Sequence, residues 1–487
     1  MQLAQALNAS VDWAALAPEL VLTAAACIVL VVDLFVPEEG KWIAMPLSAA
    51  GIIGTLAAVL ALVGTDRLTL AGTFEVTGFA LLFKGLFCVI GLIVLAISFH
   101  YFRGGRYYQG EYYFMLLCSL LGGLVMSSAR DLVTIFIAIE LISVPGFVMT
   151  ALRKNDVRSN EAALKFFLFG VLSSAVMLYG MSLVYGITGE TLLTEISAKL
   201  AGRGAEPIVT LGVFFVVVGF AFKISAVPFH FWAPDTYEGA PSPVAAFLST
   251  ASKIGGFVGL LVLMFIAFPS VADAWRPIFA VLATLTMTVG NLIALRQQHI
   301  IRLLAYSGIA QSGYILVCFA LIDQGAFAAN RQALESALIY LAIYGVMDLG
   351  AFAAAVSFAR RGGSYFISDY AGLWQRSPVL ATLLAGFLVS LAGVPPMAGT
   401  WAKFFVFKAT MQAEVYWLAV VMGINTVIAI WYYLAVVKKM FFEAPEVAEP
   451  VEVPYLMRAA MGVVAALLFA TFIFPRIITE LVERSPI

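Results

Sequence analysis

The chain has 487 residues, of which 62% are hydrophobic and 12% are charged, whereas a soluble domain carries about 25% charged residues. This composition is typical of an integral membrane protein and excludes an ordinary soluble domain. The formal net charge of −1 offers no basic surface to a polynucleotide, so nucleic acid is not an expected partner.

Apolar runs of about 20 residues, the length of a membrane-spanning helix, recur along the whole chain. They predict an all-α integral membrane fold with about fourteen transmembrane helices. The expected spans lie near residues 19–36, 42–63, 77–99, 112–128, 131–150, 161–187, 208–230, 242–267, 277–295, 301–322, 333–359, 378–410, 414–440 and 455–476.

The first three spans are predicted to form a peripheral group. Span one begins with Pro18 and Glu19 and has no basic flank, which favours a permanent span over a removable signal. Lys84 lies near the start of span three, so its long side chain is expected to reach the membrane surface as an anchor. The alternative for Lys84 is a role in transport.

Spans five and six carry the first candidate proton-path residues. Glu140 lies among apolar neighbours in span five, and its predicted role is a proton-path carboxylate paired with an intramembrane lysine. The alternative is a buried carboxylate that only ties helices together. Span six begins with Glu161 and Lys165, four residues apart on one face, where an ion pair can simply stabilise a helix surface. Because Lys165 lies a full turn inside an apolar run, a functional role is favoured for it.

The stretch from Phe222 to Lys253 places charge deep inside two apolar spans. Lys223 and Lys253 lie at membrane depth, where a charged side chain costs about 3 kcal/mol or more and normally lines an internal polar path. Pro228 cannot donate a helical hydrogen bond, so the helix is expected to break just after Lys223. Transporters place ion sites at such breaks, because backbone dipoles are exposed there. His230, an imidazole suited to proton exchange near neutral pH, is predicted to share the path.

The second half of the chain repeats features of the first. E-A-A-L-K-F-F-L-F-G-V at 161–171 resembles E-S-A-L-I-Y-L-A-I-Y-G-V at 335–346, and A-V-P at 226–228 matches G-V-P at 393–395. The repeat predicts two copies of five spans. Because five is an odd number, the copies must be inverted in the membrane, with one broken helix in each.

The second broken helix is predicted within 378–410. Pro395 and Pro396 leave two backbone carbonyls without helical partners, and Lys403 follows. The expected organisation is one membrane domain made of residues 1–110 with the peripheral spans one to three, 111–270 with the first repeat (spans four to eight), 271–442 with the second repeat (spans nine to thirteen), and 443–487 with an acidic linker and span fourteen.

The sequence alone does not decide the roles of three further polar residues. Asp348 lies in the middle of span eleven without an obvious partner, so proton transfer and a structural role are equally supported. Gln311 can hydrogen-bond within span ten, and His299 before it is expected to be structural. The four cysteines form no C-x-x-C pair, and no nucleotide-binding glycine motif follows a strand. No cofactor or metal is therefore expected in this chain.

Three segments together resemble a known family. They are A-F-K-I-S-A-V-P-F-H-F-W-A-P-D-T-Y-E-G-A-P-S-P-V at 221–244, I-R-L-L-A-Y-S-G-I-A-Q-S-G-Y at 301–314 and A-G-V-P-P-M-A-G-T-W-A-K-F at 392–404. They are similar to the antiporter-like subunits of respiratory complex I, within the proton-conducting membrane transporter family, and the resemblance covers nearly the whole chain. It implies a translocase subunit that moves protons while NADH oxidation and quinone reduction take place elsewhere in the assembly.

The resemblance also implies a set of functional positions. They are Glu140, Lys165, Lys223, His230, Lys253 and Lys403, which together would form the proton path. Many relatives have histidine at the position of Gln311 and asparagine at that of Asp348, so this chain departs from the family at both. Subunits M and L of complex I typically have an acidic residue where this chain has Lys403, and subunit L adds a long lateral helix. These differences distinguish this chain from both.

The implied cofactors, namely NADH, FMN, iron–sulfur clusters and quinone, would be bound by other subunits. The implied partners are the neighbouring antiporter-like subunit M, small subunits such as K, the lateral helix of subunit L, and lipids. The expected location is the bacterial inner membrane, with the mitochondrial inner membrane as the alternative. Two rival functions stay open, a subunit of a multisubunit cation/proton antiporter and a structural spacer whose buried charges only lock helices together.

Overall fold

The computed structural model describes residues 11–102, 109–204, 206–323, 327–361, 364–445 and 449–485. Parts of the predicted peripheral group, at 1–10 and 103–108, and of the acidic linker, at 446–448, lie outside the described residues. The longer helices are α1 (Ala17–Phe35), α2 (Ala44–Ala61), α3 (Gly78–Phe102), α4 (Gln109–Ser128), α5 (Leu132–Thr150), α6 (Val157–Thr188), α7 (Leu193–Leu200), α8 (Pro207–Lys223), α9 (Trp232–Gly239), α10 (Ser242–Ala267), α11 (Ala272–Ala294), α12 (Ile300–Ala320), α13 (Phe327–Arg361), α14 (Pro378–Ala392), α15 (Gly399–Gln412), α16 (Tyr416–Phe442), α17 (Tyr455–Ile473) and α18 (Arg476–Glu483).

The helical membrane fold predicted from the sequence is confirmed. In the described part of the chain, 12 helices are long and apolar enough to cross a membrane, and two shorter apolar helices are α8 and α14. Each of the 12 overlaps a predicted span. The two remaining predicted spans, 208–230 and 378–410, are interrupted, and α8 and α14 are their first parts. The count of fourteen and the inverted repeat stay predictions.

A short β-hairpin is the feature that the all-α prediction missed. Strands β1 (Arg67–Thr69) and β2 (Phe74–Val76) pair antiparallel between α2 and α3. Each strand has only three residues, too few to produce a recognisable alternation of apolar and polar positions. Arg130 anchors the hairpin through its backbone nitrogen, which donates to Thr73 O at 2.9 Å, and through an ion pair with Glu75 at 2.6 Å.

The middle of the molecule is built around α12. In the most apolar stretch of α12, 94% of the residues are buried, whereas the corresponding share in α6 is only 28%. This share is 89% in both α10 and α13, and α12 packs directly against α11 and α13. A helix that is apolar and covered on all sides belongs to the interior of a bundle. The polar groups on α12 therefore face other helices rather than lipid.

Lys84 is not the surface anchor that the sequence suggested. Its side chain is completely buried, and its Nζ lies 2.8 Å from Oε1 of Glu19, which is itself buried in α1. A lysine that finds a carboxylate inside the protein has no reason to extend to the surface, and sequence position could not reveal a partner on another helix. The pair joins α1 to α3.

Removing the lysine from this pair is expected to destabilise the peripheral helices. Lys84→Met leaves the Glu19 carboxylate buried without a counter-charge, and breaking a buried pair from one side costs about 3–5 kcal/mol. Thermal unfolding of the detergent-solubilised protein measures the loss, with the exposed Lys438→Met as the control. The double variant Lys84→Met/Glu19→Gln should recover most of the lost stability, and failure to recover would show that packing rather than charge is responsible.

Candidate functional site

The first break in a membrane helix follows Lys223, as Pro228 predicts. Helix α8 ends at Lys223 and α9 begins at Trp232. The carbonyl of Ile224, which would be the helical partner of the nitrogen at position 228, instead accepts a hydrogen bond from Ser312 Oγ at 2.9 Å. The indole of Trp232 donates to Phe222 O at 3.0 Å. A side chain thus replaces the backbone partner that the break removes from Ile224, whereas Phe222 O also accepts from the backbone nitrogen of Ser225 at 3.0 Å,.

The second break lies between α14 and α15. The carbonyl of Leu391 accepts from Gln311 Nε2 at 2.9 Å, and that of Ala392 accepts from Lys403 Nζ at 2.9 Å. These are the two carbonyls that Pro395 and Pro396 leave without helical partners. One of the predicted proton-path lysines therefore binds directly to the backbone opened by its own broken helix.

Helix α12 connects the two breaks. Its adjacent residues Gln311 and Ser312 donate to Leu391 and Ile224, one at each break. Adjacent residues on a helix point about 100° apart, so one helix can reach two neighbours at the same level. Because the Gln311 amide is satisfied on both sides, with Tyr340 donating to its Oε1, its role here is that of a bridging amide.

Lys223 is buried at the end of α8. Its Nζ donates to Ser143 Oγ on α5 at 2.8 Å, and the charge of Glu140, one turn earlier on α5, acts on it. The aliphatic stem of Lys223 packs against Gly256 of α10, where an added Cβ would lie 3.0 Å from Lys223 Cγ. The glycine thus leaves space for the lysine.

Glu140 lies at the edge of this group rather than in its centre. The side chain is half-buried, and Ser174 of α6 donates a hydrogen bond to its carboxylate. No direct ion pair joins Glu140 to Lys223 among the described residues. The carboxylate therefore acts on the lysine through space, with Ser143 between the two on α5.

Lys253 is completely buried on α10. It follows a π-helical segment, Leu248–Ser252, a local distortion that occurs often at functional sites. An added Cβ on Gly308 of α12 would lie 2.9 Å from Lys253 Nζ and 3.0 Å from Tyr344 Oη, so the lysine and the tyrosine meet opposite this glycine. No described residue forms a hydrogen bond with Lys253 Nζ.

Hydroxyl groups lie between Lys253 and Lys403. On α12, Ser307 is hydrogen-bonded to Tyr433, and Gln311 Nε2 also lies 3.5 Å from Tyr433 Oη. The Lys403 ammonium lies 4.7 Å from the centre of the Tyr314 ring, a distance at which a cation and an aromatic face attract each other. A chain of hydroxyl and amide groups thus runs along α12 toward the second break.

The buried polar groups from Lys223 through Lys253 and along α12 to Lys403 form the polar line. Two of the predicted site residues are not joined to it. His230 is buried just beyond the first break, but its Nδ1 has no hydrogen-bond partner among the described residues. Lys165 is 40% exposed and pairs with Glu161 at 2.8 Å and with Asp235 at 2.9 Å. The pair with Glu161 is the helix-surface pair that the sequence offered as the alternative.

Lys165 lines an open cleft of about 340 Å³ at one end of the molecule. Because most of its polar lining residues are charged, it is named the charged cleft. Arg302 crosses it to reach Asp235 at 2.9 Å and Glu238 at 2.7 Å. Burial raises the pKa of the Asp235 carboxyl, but hydrogen bonds from Lys165 and Arg302 outweigh burial and hold that pKa below its ordinary value. The cleft is lined by Arg153, Asp156, Arg158, Glu161, Ala162, Lys165, Asp235, Tyr237, Glu238, Gly239, Ser242, His299, Ile301, Arg302 and Tyr365.

The family model described as NADH:quinone oxidoreductase/Mrp antiporter, TM, matches residues 129–429, a range that contains both breaks and all the buried lysines except Lys84. The chain belongs to this family. The matched range begins after the peripheral group and ends before the last helices. The match is therefore centred on the polar line.

Similar proteins extend the match to nearly the whole chain. NADH-quinone oxidoreductase subunit N of Moorella thermoacetica is 39% identical, over 96% of this chain and 97% of the relative. NADH-quinone oxidoreductase subunit N 2 of Streptomyces griseus is 42% identical, over 90% of this chain and 84% of the relative. A chain in the structure of respiratory complex I from Thermus thermophilus with bound aureothin has a TM-score of 0.81 and 28% identity, over 96% of this chain and 100% of that chain.

Two partners of the lysines were not predicted from the sequence. Ser143 is a serine inside an apolar span, and Tyr314 is one of many aromatic residues, so neither stands out by residue type. The glycines that face the lysines, Gly256 and Gly308, are equally ordinary in a membrane helix. The one available signal was position, because Tyr314 lies in the I-A-Q-S-G-Y segment that carries the resemblance.

Proposed function

We propose that this chain acts as subunit N, a membrane-arm subunit, of a proton-pumping NADH:quinone oxidoreductase in a bacterial inner membrane. The observation that carries the proposal is the arrangement of three buried lysines, Lys223, Lys253 and Lys403, around one central helix whose side chains bind both broken helices. Buried ammonium groups of this kind normally mark an ion or proton pathway. NADH, FMN, iron–sulfur clusters and quinone are assigned to other subunits.

The proposed path runs along the polar line. A proton reaches Lys223, whose charge responds to Glu140, passes to Lys253 on the neighbouring helix, and follows the hydroxyl groups along α12 to Lys403. Withdrawing a carboxylate from a buried ammonium favours loss of its proton, and so does burial itself. A change in the separation of Glu140 and Lys223 is therefore a sufficient switch. Lys165 and His230 are proposed to serve the entrance, beside the line itself.

The proposed partners are the neighbouring antiporter-like subunit M, small subunits such as K, the lateral helix of subunit L, and lipids. The half-exposed Glu140 supports a neighbour on the α5–α6 side, since a carboxylate directed at lipid is costly. The exposed apolar faces of the outer helices support contact with lipid and with other membrane helices. Division of the chain into two inverted repeats, 111–270 and 271–442, is proposed on the strength of the two broken helices.

Two lysines on α15 provide the test. Lys403 is 7% exposed and binds the opened backbone, whereas Lys408, five positions later on the same helix, is exposed. Lys403→Met is expected to lower the rate of proton uptake by inverted membrane vesicles at least about tenfold, since a positioned proton-transfer group contributes a large factor to the rate it serves, and Lys408→Met to leave it unchanged. Equal effects of the two substitutions would contradict the path.

Assembly must be measured alongside, because a structural spacer predicts a different outcome. If Lys403→Met prevents the complex from assembling on a native gel, the buried charges serve to hold helices together. A second candidate is a subunit of a multisubunit cation/proton antiporter. It is supported by the family, which includes the Mrp antiporter as well as NADH:quinone oxidoreductase. Purification of the chain together with flavin- and iron–sulfur-containing subunits supports the oxidoreductase, and purification without them supports the antiporter.

A further inference from the structure

Asp348 occupies a position on α13 that the proposed path does not yet use. The carboxylate is completely buried and lies near the side chains of Lys253, Tyr344 and Ser249. Neither of its oxygens has a hydrogen bond of ordinary geometry to a described residue. A buried carboxylate without such partners is rare in folded proteins and requires an explanation. The acidic side chain whose charge acts on Lys253 is this one.

The Lys253 ammonium lies near the Asp348 carboxylate without a direct contact between the two. Tyr344, one turn before Asp348, donates to the carbonyl of Ser249 at 2.8 Å, a carbonyl that belongs to the π-helical segment preceding Lys253. Tyr344 Oη and Lys253 Nζ both face Gly308. No direct ion pair joins Lys253 to Asp348 among the described residues. The two groups therefore form no permanent salt bridge, and one water between them is sufficient to pass a proton.

One face of α13 connects this pair to the charged cleft. Tyr344, Asp348 and Phe352 are spaced four residues apart, so they lie above one another on the same side of the helix. Phe352 meets the ring of Tyr237 edge to face, with 6.3 Å between ring centres. Tyr237 lines the charged cleft, and its own hydroxyl has no hydrogen-bond partner among the described residues.

We propose that Asp348 is a proton-carrying residue of this chain, which exchanges a proton with Lys253 and receives it from the charged cleft past Tyr237. In the exchange, the protonated Asp348 carboxyl gives its proton through one bridging water to the neutral Lys253 amine, so that a neutral pair becomes a carboxylate and an ammonium. Water in the charged cleft then returns a proton to Asp348. Each buried lysine of the first half then has its own carboxylate, Glu140 for Lys223 and Asp348 for Lys253. The inference rests on the proposed function.

Substitutions in the assembled complex test the assignment. Asp348→Asn keeps the size of the side chain and is expected to lower the rate of proton uptake at least about fivefold, since a positioned proton-transfer group contributes a large factor to the rate it serves. Asp348→Glu restores the carboxylate and should recover most of that uptake, which a purely structural role would not produce. Asp323→Asn, an exposed aspartate paired with Arg276, serves as the matched control and should have no effect.

A double substitution separates the possible roles. If Asp348 works through Lys253, Asp348→Asn should cause no further loss in a Lys253→Met complex, whereas an additional loss of the same factor would overturn the proposal. Tyr237→Phe keeps the ring and removes the hydroxyl, and should lower uptake severalfold even if Asp348→Asn fails to assemble; full uptake in that variant would equally overturn it. Normal uptake in Asp348→Asn together with the expected loss in Lys403→Met would refute this inference alone, whereas normal uptake in Lys403→Met would refute the proposed function.

Discussion

Lys223→Met is expected to lower proton translocation by the assembled complex at least about tenfold, since a positioned proton-transfer group contributes a large factor to the rate it serves. Methionine matches the length of the lysine stem, so the packing against Gly256 should survive. What disappears is the ammonium that binds Ser143 Oγ at 2.8 Å. The loss should therefore appear in proton uptake by inverted vesicles and in coupled NADH oxidation, while the amount of assembled complex stays unchanged.

The control for this substitution is Lys199→Met. Lys199 pairs with Glu190 at 2.6 Å at the protein surface, with 47% of its side chain exposed. An exposed pair of this kind contributes about 0–1 kcal/mol, so the control should keep normal uptake. Full uptake in an assembled Lys223→Met complex would contradict the proposed path, and loss of assembly would favour the structural spacer.

Glu140→Gln is expected to have the second-largest effect, a reduction in proton uptake of the same order. The substitution keeps the hydrogen bond from Ser174, because the amide oxygen of glutamine also accepts,. It removes the negative charge that acts on Lys223. Lys223 would then hold its proton less readily, since a buried ammonium without a nearby carboxylate is disfavoured. A change in the separation of residue 140 and Lys223 could then no longer control the release of the proton from Lys223.

Glu190→Gln is the comparison for the carboxylate. Glu190 pairs with Lys199 at the surface, and 35% of its side chain is exposed. An uptake measurement that shows equal losses for Glu140→Gln and Glu190→Gln would mean that any acidic residue in this region matters, and the specific coupling to Lys223 would be wrong. A double variant, Glu140→Gln/Lys223→Met, should be no worse than Lys223→Met by itself.

The sequence was sufficient for the parts of the structure that depend on composition and on proline. Runs of apolar residues located the spans, and Pro228, Pro395 and Pro396 located both breaks, because proline removes a specific backbone donor wherever it occurs. Lys223, Lys253 and Lys403 were recognisable because charge inside an apolar run is costly. These are local properties of the chain, and they are visible without knowledge of neighbours.

Partners on other helices could not be predicted in the same way. The Lys84 side chain was expected at the surface because Glu19 lies two helices away in sequence, and only packing brings the two together. Lys165 was assigned to the interior from its apolar neighbours, yet α6 turns that face outward. Nothing local in the sequence shows that Arg302 pairs with both Asp235 and Glu238. In each case the environment depends on tertiary contacts that a single sequence does not encode locally.

The hydrogen bonds from Gln311 and Ser312 have a mechanical consequence. Both donors belong to one rigid helix, so a rotation or sliding of α12 cannot release the carbonyl of Leu391 without also displacing the bond to Ile224. Any displacement of α12 therefore acts on both breaks at once.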